Sequence, residues 1–212
     1  MERLPPSALP TSLPRRVFVT GQGGSGKTTL AQALSAQTVA PAYHFDDIAY
    51  DPQTHRRRPM EARLADVRRI SEQPAWIADC WYLGRTEPLL TAAEEIVWLD
   101  LPWRLAARRI IFRHLRASLV GNNPHPGIGK LWDFLRSERQ RYTGAPSDAG
   151  VLLVRDGANN RARAKRALAA YREKLIHCHR PSEVAAYLTK VRAAPQGCPL
   201  GEPAERPSSP SS

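Results

Sequence analysis

The eight residues from Gly21 to Thr28 carry the clearest chemical pattern in the sequence, with the spacing G-x-x-x-x-G-K-[ST]. Glycines let the backbone turn its N–H groups inward around a chain of phosphates, and a helix that begins near Lys27 adds the positive end of its dipole. The lysine would reach the β- and γ-phosphates, and the Thr28 hydroxyl would ligate Mg²⁺. The pattern therefore predicts a P-loop that binds ATP and Mg²⁺. Its predicted nucleotide-binding residues are Gly21, Gly23, Gly24, Ser25, Gly26, Lys27, Thr28 and Thr29.

The segments on either side of this loop have the character that a P-loop needs. Residues 16–20 are a β-branched and aromatic run that predicts a buried strand, and residues 29–36 are rich in helix formers. A glycine-rich turn ahead of an ordinary helix is the alternative. Strand, loop and helix in this order favour the nucleotide site.

Two aspartates follow short apolar segments that predict further strands. Residues 42–45 would form a second strand ending at Asp46, and residues 75–78 a third strand ending at Asp79. The carboxyl ends of parallel strands lie at the ligand-binding edge of an α/β sheet. Asp79 therefore matches the acidic residue that holds Mg²⁺, usually through water. Asp46 either contacts the phosphoryl acceptor or the water shell of the metal, or it caps the next segment.

Tyr82 and Arg85 follow the third strand and are candidate acceptor-binding residues. The planar guanidinium of Arg85 suits an anionic group on the acceptor, and an ordinary surface arginine is the alternative. A short helix is predicted from Arg85 to about Ala93.

A helix rich in arginine follows the predicted fourth strand, residues 96–99, which ends at Asp100. Pro102 suits the first turn of that helix. Its arginines are Arg104, Arg108, Arg109, Arg113 and Arg116. Together with the glycine-rich loop at 121–129, the helix predicts a lid over about residues 104–130 that closes on the transferring phosphate. A solvated basic helix face is the alternative.

Two segments compete for the fifth strand, residues 151–154 and residues 174–178. The second is preferred because its apolar run ends at a turn and a final helix, predicted over residues 182–190. His177 and His179 lie at the end of this segment without an acidic neighbour in the sequence. We therefore expect structural histidines there and no metal site.

Strands and helices alternate along the chain, which predicts an α/β fold with a parallel sheet covered by helices and the P-loop strand at its centre. The expected domain spans residues 15–191. Residues 1–14 contain four prolines, and residues 192–212 are rich in proline, serine and glycine. Both ends are therefore predicted to be disordered.

The 212-residue chain has a formal net charge of +11 and a pI near 10.2, which indicates an anionic partner. The arginines either line a cleft for nucleotide and phosphorylated substrate or form a surface for nucleic acid. Their spread along the chain and the lack of an aromatic-rich nucleic-acid module favour the cleft. No apolar run approaches the roughly 20 residues of a membrane span. With no signal-peptide pattern and three scattered cysteines, we expect a cytoplasmic protein without a membrane partner.

Three further segments resemble a known group of proteins: Tyr43 to Asp46, Trp76 to Tyr82 and Ile96 to Pro102. With the P-loop, they resemble bacterial DNA topology modulation proteins, which belong with the adenylate-kinase-like P-loop kinases. That resemblance implies a five-stranded parallel sheet in the order 2-3-1-4-5 and a helical lid. Cys80 and Trp81 stand where that group usually has glycine and asparagine.

The same resemblance assigns roles to individual residues. It implies that Asp46 faces the acceptor, that Asp79 is the Walker-B acid and that Arg85 lies in the acceptor region. It further implies that Arg109 and Arg113 are lid arginines. The segment at 177–182 would approach the adenine.

The leading functional hypothesis is a Mg²⁺-dependent ATP phosphotransferase that acts on a small molecule or nucleotide. Lys27, Asp46, Arg109 and Arg113 would be its catalytic residues, working through positioning and charge neutralisation. The alternative is an ATP-binding regulatory NTPase that engages nucleic acid or a protein through a basic surface. The acceptor stays open at this point among a nucleoside monophosphate, a sugar and a modified nucleoside.

Overall fold

The protein is a three-layer α/β structure built on one five-stranded parallel sheet. The computed structural model describes residues 13–51, 53–54, 56–81, 83–121, 123, 127–143 and 160–194. The sheet has the order β2-β3-β1-β4-β5. Its strands are β1 Arg16–Gly21, β2 Ala42–His44, β3 Trp76–Asp79, β4 Glu95–Leu99 and β5 Leu175–Cys178. Both the predicted fold class and the predicted strand order are confirmed, with the P-loop strand β1 at the centre.

Eight α-helices connect and cover these strands within the described residues. They are α1 Lys27–Thr38, α2 Phe45–Ala49, α3 Met60–Ser71, α4 Glu87–Ala92, α5 Trp103–Leu119, α6 Ile128–Thr143, α7 Arg161–Leu168 and α8 Pro181–Ala193. Two 3₁₀ turns span Leu83–Arg85 and Ala169–Lys174. No helix in this part of the chain combines the length and apolar character that a membrane span requires.

Several predicted boundaries differ from the observed ones. Phe45 begins α2 instead of ending β2, because its ring packs into the core as the chain turns. Asp46 therefore lies in the first turn of a helix and not directly at a strand end. The sequence pattern also predicts a helix from about Asn160 to Arg172, but the observed helix stops at Leu168 and the chain continues as a 3₁₀ turn. The final helix runs to Ala193, beyond its predicted end at residue 190.

The choice of the fifth strand is confirmed for the preferred segment, since Leu175–Cys178 pairs in parallel with β4. The competing segment, residues 151–154, lies outside the described residues. So do most of the predicted leader and tail, residues 1–12 and 195–212.

Alternate side chains of the central strands fill two hydrophobic clusters, as the two-residue period of a strand requires. Phe18 and Trp76 belong to the cluster that also holds core residues of α3, α4 and α7. Val19 and Val97 belong to the other, with residues of α1 and α8. With both faces buried, ligands are expected at the carboxyl edge of the sheet.

Candidate active site

The P-loop connects the buried end of β1 to the first residue of α1 through glycines that the backbone needs. Gly24 and Gly26 have left-handed φ angles of 76° and 95°, which residues with a Cβ adopt at a cost. Space is also limited, because a Cβ on Gly24 would lie 2.8 Å from the Ala106 carbonyl oxygen of α5. The Lys27 ammonium donates to the Gln22 carbonyl at 3.2 Å, across the loop. The loop thus has the compact form that the glycine spacing predicts.

A cavity of about 520 Å³, here called the charged cavity, opens over this loop. Most of the predicted site residues line it: Gly23, Gly24, Gly26, Lys27, Thr28, Thr29, Asp46, Asp79, Arg109 and Arg113. These residues come from the loop after β1 and from α1, α2, β3 and α5, so the fold brings together groups spread over some 90 positions of the sequence. The cavity places a lysine, two arginines and two carboxylates around one volume.

Four predicted site residues lie elsewhere or cannot be placed. Gly21 packs against β4, where a Cβ on it would lie 2.6 Å from the Leu99 carbonyl oxygen. Ser25 lines a different cavity. Arg85 borders a small apolar cavity between α2 and α3, and its guanidinium lies 3.2 Å from Met60 Sδ. Tyr82 lies outside the described residues.

The Lys27 ammonium sits in an environment that both strips water and supplies negative charge. Burial lowers the pKa of Lys27 below its ordinary value, and the charges of Asp79, Cys80, Asp46 and Glu138 partly oppose that shift. Desolvation is the larger effect, because removing water penalises the charged amine. A bound polyphosphate would add negative charge beside this amine and favour its protonated form.

The Asp79 carboxylate is buried and has a histidine neighbour that sequence reasoning missed. His44, the last residue of β2, pairs in register with Asp79 at the end of β3. Its Nδ1 lies 3.1 Å from Asp79 Oδ2. The contact arises because β2 and β3 end side by side in the sheet, and the spacing of the two residues in the sequence does not reveal this register. His44 is placed to fix the orientation of the carboxylate.

Thr28 and Asp79 are the residues that fit a magnesium ion. Both line the charged cavity next to the P-loop lysine. A hydroxyl and a carboxylate are oxygen donors of the kind that Mg²⁺ accepts, together with water and phosphate oxygens. The donor set present therefore suits the ion that the sequence pattern implies.

Arg109 of α5 connects the loop to the predicted lid. Its Nη1 donates to the Ser25 carbonyl oxygen at 2.8 Å. The side chain lines the charged cavity and also a second one of about 400 Å³ on the other side of the loop. Arg113, one helical turn further, faces the charged cavity alone. Arg104, Arg108 and Arg116 line neither.

This second cavity, here called the apolar cavity, has mainly hydrocarbon walls. It is lined by Leu30 and Ala33 of α1, by Leu99 at the end of β4, by Leu101 just after that strand, and by residues of α8. From the segment expected to approach the adenine, Pro181 is in the wall, whereas His177 and His179 are not. The two cavities flank the turn at Gly26, which borders both.

Helix α6 contributes three side chains to the charged cavity that sequence analysis did not assign: Phe134, Glu138 and Arg141. Glu138 is 2% exposed and accepts a hydrogen bond from the Gly23 N–H at 3.0 Å. Arg141 donates to the same carboxylate. The sequence pattern predicts a helix from Leu131 to Tyr142, but nothing local in the sequence indicates that it packs against the P-loop.

His177 and His179 have an acidic neighbour after all, so the reason given for expecting no metal site there is wrong. Asp100 Oδ2 lies 3.1 Å from His177 Nε2 and 3.7 Å from His179 Nδ1. The Arg161 guanidinium donates to the same oxygen through Nε and Nη2, at 3.0 and 2.9 Å. The spacing of the two imidazoles and the carboxylate would suit a metal ion, but the Arg161 cation already neutralises the carboxylate.

Comparisons with known proteins give similarity of fold and no closer relation. No protein-family model and no curated protein matches the sequence. Among solved structures, a gluconokinase from Sinorhizobium meliloti superposes with a TM-score of 0.47 at 16% identity, covering 86% of this chain and 91% of that one. A sugar kinase from Janibacter scores 0.43 at 17% identity, covering 86% and 96%. A shikimate kinase from Acinetobacter baumannii, solved with shikimate, scores 0.43 at 16% identity, covering 85% and 92%. Similarities at this level assign neither a family nor a substrate to the chain.

Proposed function

We propose that the protein is a Mg²⁺-dependent phosphotransferase that moves the γ-phosphoryl group of ATP to a small-molecule acceptor. One observation supports this most directly. The P-loop lysine, the threonine hydroxyl, two carboxylates and two arginines line a single cavity of about 520 Å³. Phosphoryl transfer needs this combination, because its catalysis is mainly positioning and neutralisation of charge on the phosphates.

The two cavities suggest how the nucleotide lies. The apolar cavity offers hydrocarbon walls for the base, and the P-loop donors at Gly23 to Lys27 would carry the phosphates past Gly26. The γ-phosphate then reaches the charged cavity, where Arg113 and Lys27 face it. Arg109 borders both cavities and would contact the nucleotide where they meet. Pro181 and its neighbours on α8 would approach the adenine.

Thr28 and Asp79 would hold Mg²⁺, which supplies charge neutralisation between the β- and γ-phosphates when it is bound. His44 keeps the Asp79 carboxylate oriented toward the cavity through the 3.1 Å contact. Lys27 binds the phosphate oxygens directly. The chain thus provides separate groups for the metal ion and for the phosphate oxygens.

Asp46 is placed to act on the acceptor, since the first turn of α2 presents it to the charged cavity. The acceptor oxygen attacks the γ-phosphorus while the bond from phosphorus to the β–γ bridging oxygen breaks, so that ADP leaves. The hydroxyl proton of the acceptor passes to the Asp46 carboxylate. Tyr82 and Arg85 remain proposed acceptor residues by their place after β3.

The test is a turnover screen with Mg²⁺ and ATP against nucleoside monophosphates, sugars and modified nucleosides. We expect one class to give acceptor-dependent ADP and a phosphorylated product by mass spectrometry. That class would also decide whether the adenylate-kinase-like resemblance extends to a nucleotide acceptor. Lys27→Ala should abolish turnover because it removes the phosphate-binding ammonium. Lys165→Ala is the matched control, since Lys165 is exposed on α7. Full turnover by Lys27→Ala would overturn the proposal.

A second candidate is a nucleotide-dependent protein that engages nucleic acid through a basic surface. It is favoured by one observation: α5 carries five arginines and no acidic residue, and Arg104, Arg108 and Arg116 are exposed and line neither cavity. Duplex binding with an affinity that falls steeply as salt rises would support it. If duplex binding is weak at all salt concentrations and turnover depends on an acceptor, only the kinase proposal is supported.

A further inference from the structure

A carboxylate from α6 occupies a backbone donor of the P-loop. Glu138 is 2% exposed, and its Oε2 accepts a hydrogen bond from the Gly23 N–H at 3.0 Å. It is the one buried glutamate among the described residues. Burying a carboxylate is costly unless charged or polar partners compensate it. Here the partners are the loop N–H and the Arg141 guanidinium.

Further contacts hold α6 against the same loop. The Tyr142 hydroxyl donates to the Gly23 carbonyl oxygen at 3.1 Å, and the Gln22 side-chain amide donates to the Arg141 carbonyl oxygen at 3.1 Å. Gly23 has no room for a side chain, because an added Cβ would lie 2.5 Å from Glu138 Oε2. Three residues of α6 and two residues of the loop therefore form a closely packed, hydrogen-bonded contact.

The chemistry of this contact is that of an anion in a cradle of N–H donors. P-loop donors bind negatively charged oxygen, and a carboxylate offers the same kind of acceptor as a phosphate. Burial lowers the pKa of Lys27, and the Glu138 charge is one of four nearby charges that partly oppose this shift. Arg141 lines the charged cavity while it is paired with Glu138.

We propose that Glu138 is an internal competitor of the triphosphate and thereby sets the affinity of the P-loop for nucleotide. Phosphate and Glu138 use the same loop donor and the same positive charges, so nucleotide binding moves the α6 carboxylate away. Its displacement frees Arg141 to pair with phosphate oxygens. This inference rests on the proposed binding of ATP at the P-loop and adds to it the residue that limits that binding.

Calorimetric titration with Mg·ATP tests this on the full chain and its Glu138→Gln variant. The amide keeps the shape and an acceptor for Gly23 but removes the competing charge. Hydrogen bonds to charged groups are worth roughly 1 kcal/mol more than neutral ones, so we expect about fivefold tighter binding. Asp133→Asn is the matched control, because Asp133 is an exposed acid on the same helix. It should bind ATP as the wild type does.

A second measurement needs no variant. Hydrogen exchange in residues 128–143 of the wild-type chain should become faster when saturating Mg·ATP is added, because α6 loses its contacts with the loop. Unchanged or slower exchange there would overturn the inference. The inference would also be overturned if Glu138→Gln bound Mg·ATP with the same affinity as the wild type or more weakly, since Glu138 would then not compete with the nucleotide. If neither protein binds Mg·ATP, the proposed function is rejected, and the inference that depends on it is rejected as well.

Discussion

Asp79 and Asp100 occupy similar positions in the sequence, but in the structure they differ in the charged groups near them. Each follows a buried apolar strand, each is at most 6% exposed, and each lies 3.1 Å from a histidine of the neighbouring strand. Asp79 lines the charged cavity beside Lys27. Asp100 instead accepts two hydrogen bonds from the Arg161 guanidinium.

The difference shows that the partner, and not the strand-end position, decides what a buried carboxylate can do. A carboxylate that an arginine neutralises contributes to the fold and has little charge left for a ligand. A carboxylate that faces a cavity and has a histidine as its hydrogen-bonding neighbour, as Asp79 does, keeps its charge available for a cation or for the nearby Lys27 ammonium. We therefore expect Asp79 to take part in the chemistry and Asp100 to stabilise the fold, and removing each charge by mutation separates the two roles.

The largest expected effect is that of Asp79→Asn on turnover. The amide keeps the size of the side chain but removes the charge that would hold Mg²⁺, so turnover should fall about 100-fold or more. Urea unfolding should show a smaller loss of stability than for Asp100→Asn, because the hydrogen-bonded neighbour of Asp79 is His44 and not an arginine, although the buried Lys27 ammonium loses one nearby opposing charge. Turnover that stays within a few-fold of wild type would remove Asp79 from the metal site.

Asp100→Asn should have the opposite profile. The substitution removes the charge from the hydrogen bonds with Arg161 and should cost about 1–2 kcal/mol of unfolding free energy, discounted because Arg161 is half exposed. Steady-state turnover at saturating ATP should stay close to wild type. A loss of turnover as large as that of Asp79→Asn, with unchanged stability, would make Asp100 part of the chemistry and erase the contrast.

The smallest expected effect concerns pH. Burial lowers the pKa of His177, with Asp100 opposing that shift and His179 and Arg161 adding to it. Below about pH 6.5 the unfolded chain therefore takes up a proton that the folded chain resists. Stability from this group is complete above about pH 6.5 and is lost as the pH falls toward the folded pKa.

The His177→Gln variant checks this effect, since glutamine does not titrate. Urea unfolding at about pH 7 and about pH 5.5 should show a smaller loss of stability on acidification in the variant than in the wild type. An identical loss in both proteins would mean that His177 is protonated equally well in the folded and the unfolded chain.

The sequence was sufficient for features that depend on local pattern. The glycine spacing at 21–28 predicted the loop, and four of the five strands follow from apolar runs that end at a carboxylate or a glycine. The parallel direction of the strands then follows from the alternation of strands and helices, whereas their order was implied by the resemblance. These features need only neighbours along the chain, and the structure has them where they were expected.

What the sequence could not supply are contacts between distant segments. His44 meets Asp79 across two strands, and Glu138 meets Gly23 over 115 positions. Asp100 meets His177 over 77 positions, which is why His177 and His179 were taken to have no acidic neighbour. The short helix at Phe45 shows a smaller limit, because core packing there overrode an extended pattern.

The most direct test of the whole account is calorimetric titration of the wild-type protein with ATP in the presence of Mg²⁺. We expect saturable binding at one site per chain, lost in Lys27→Ala. The absence of any binding heat for the wild type at several temperatures would contradict the assignment of the loop at 21–28 to a triphosphate.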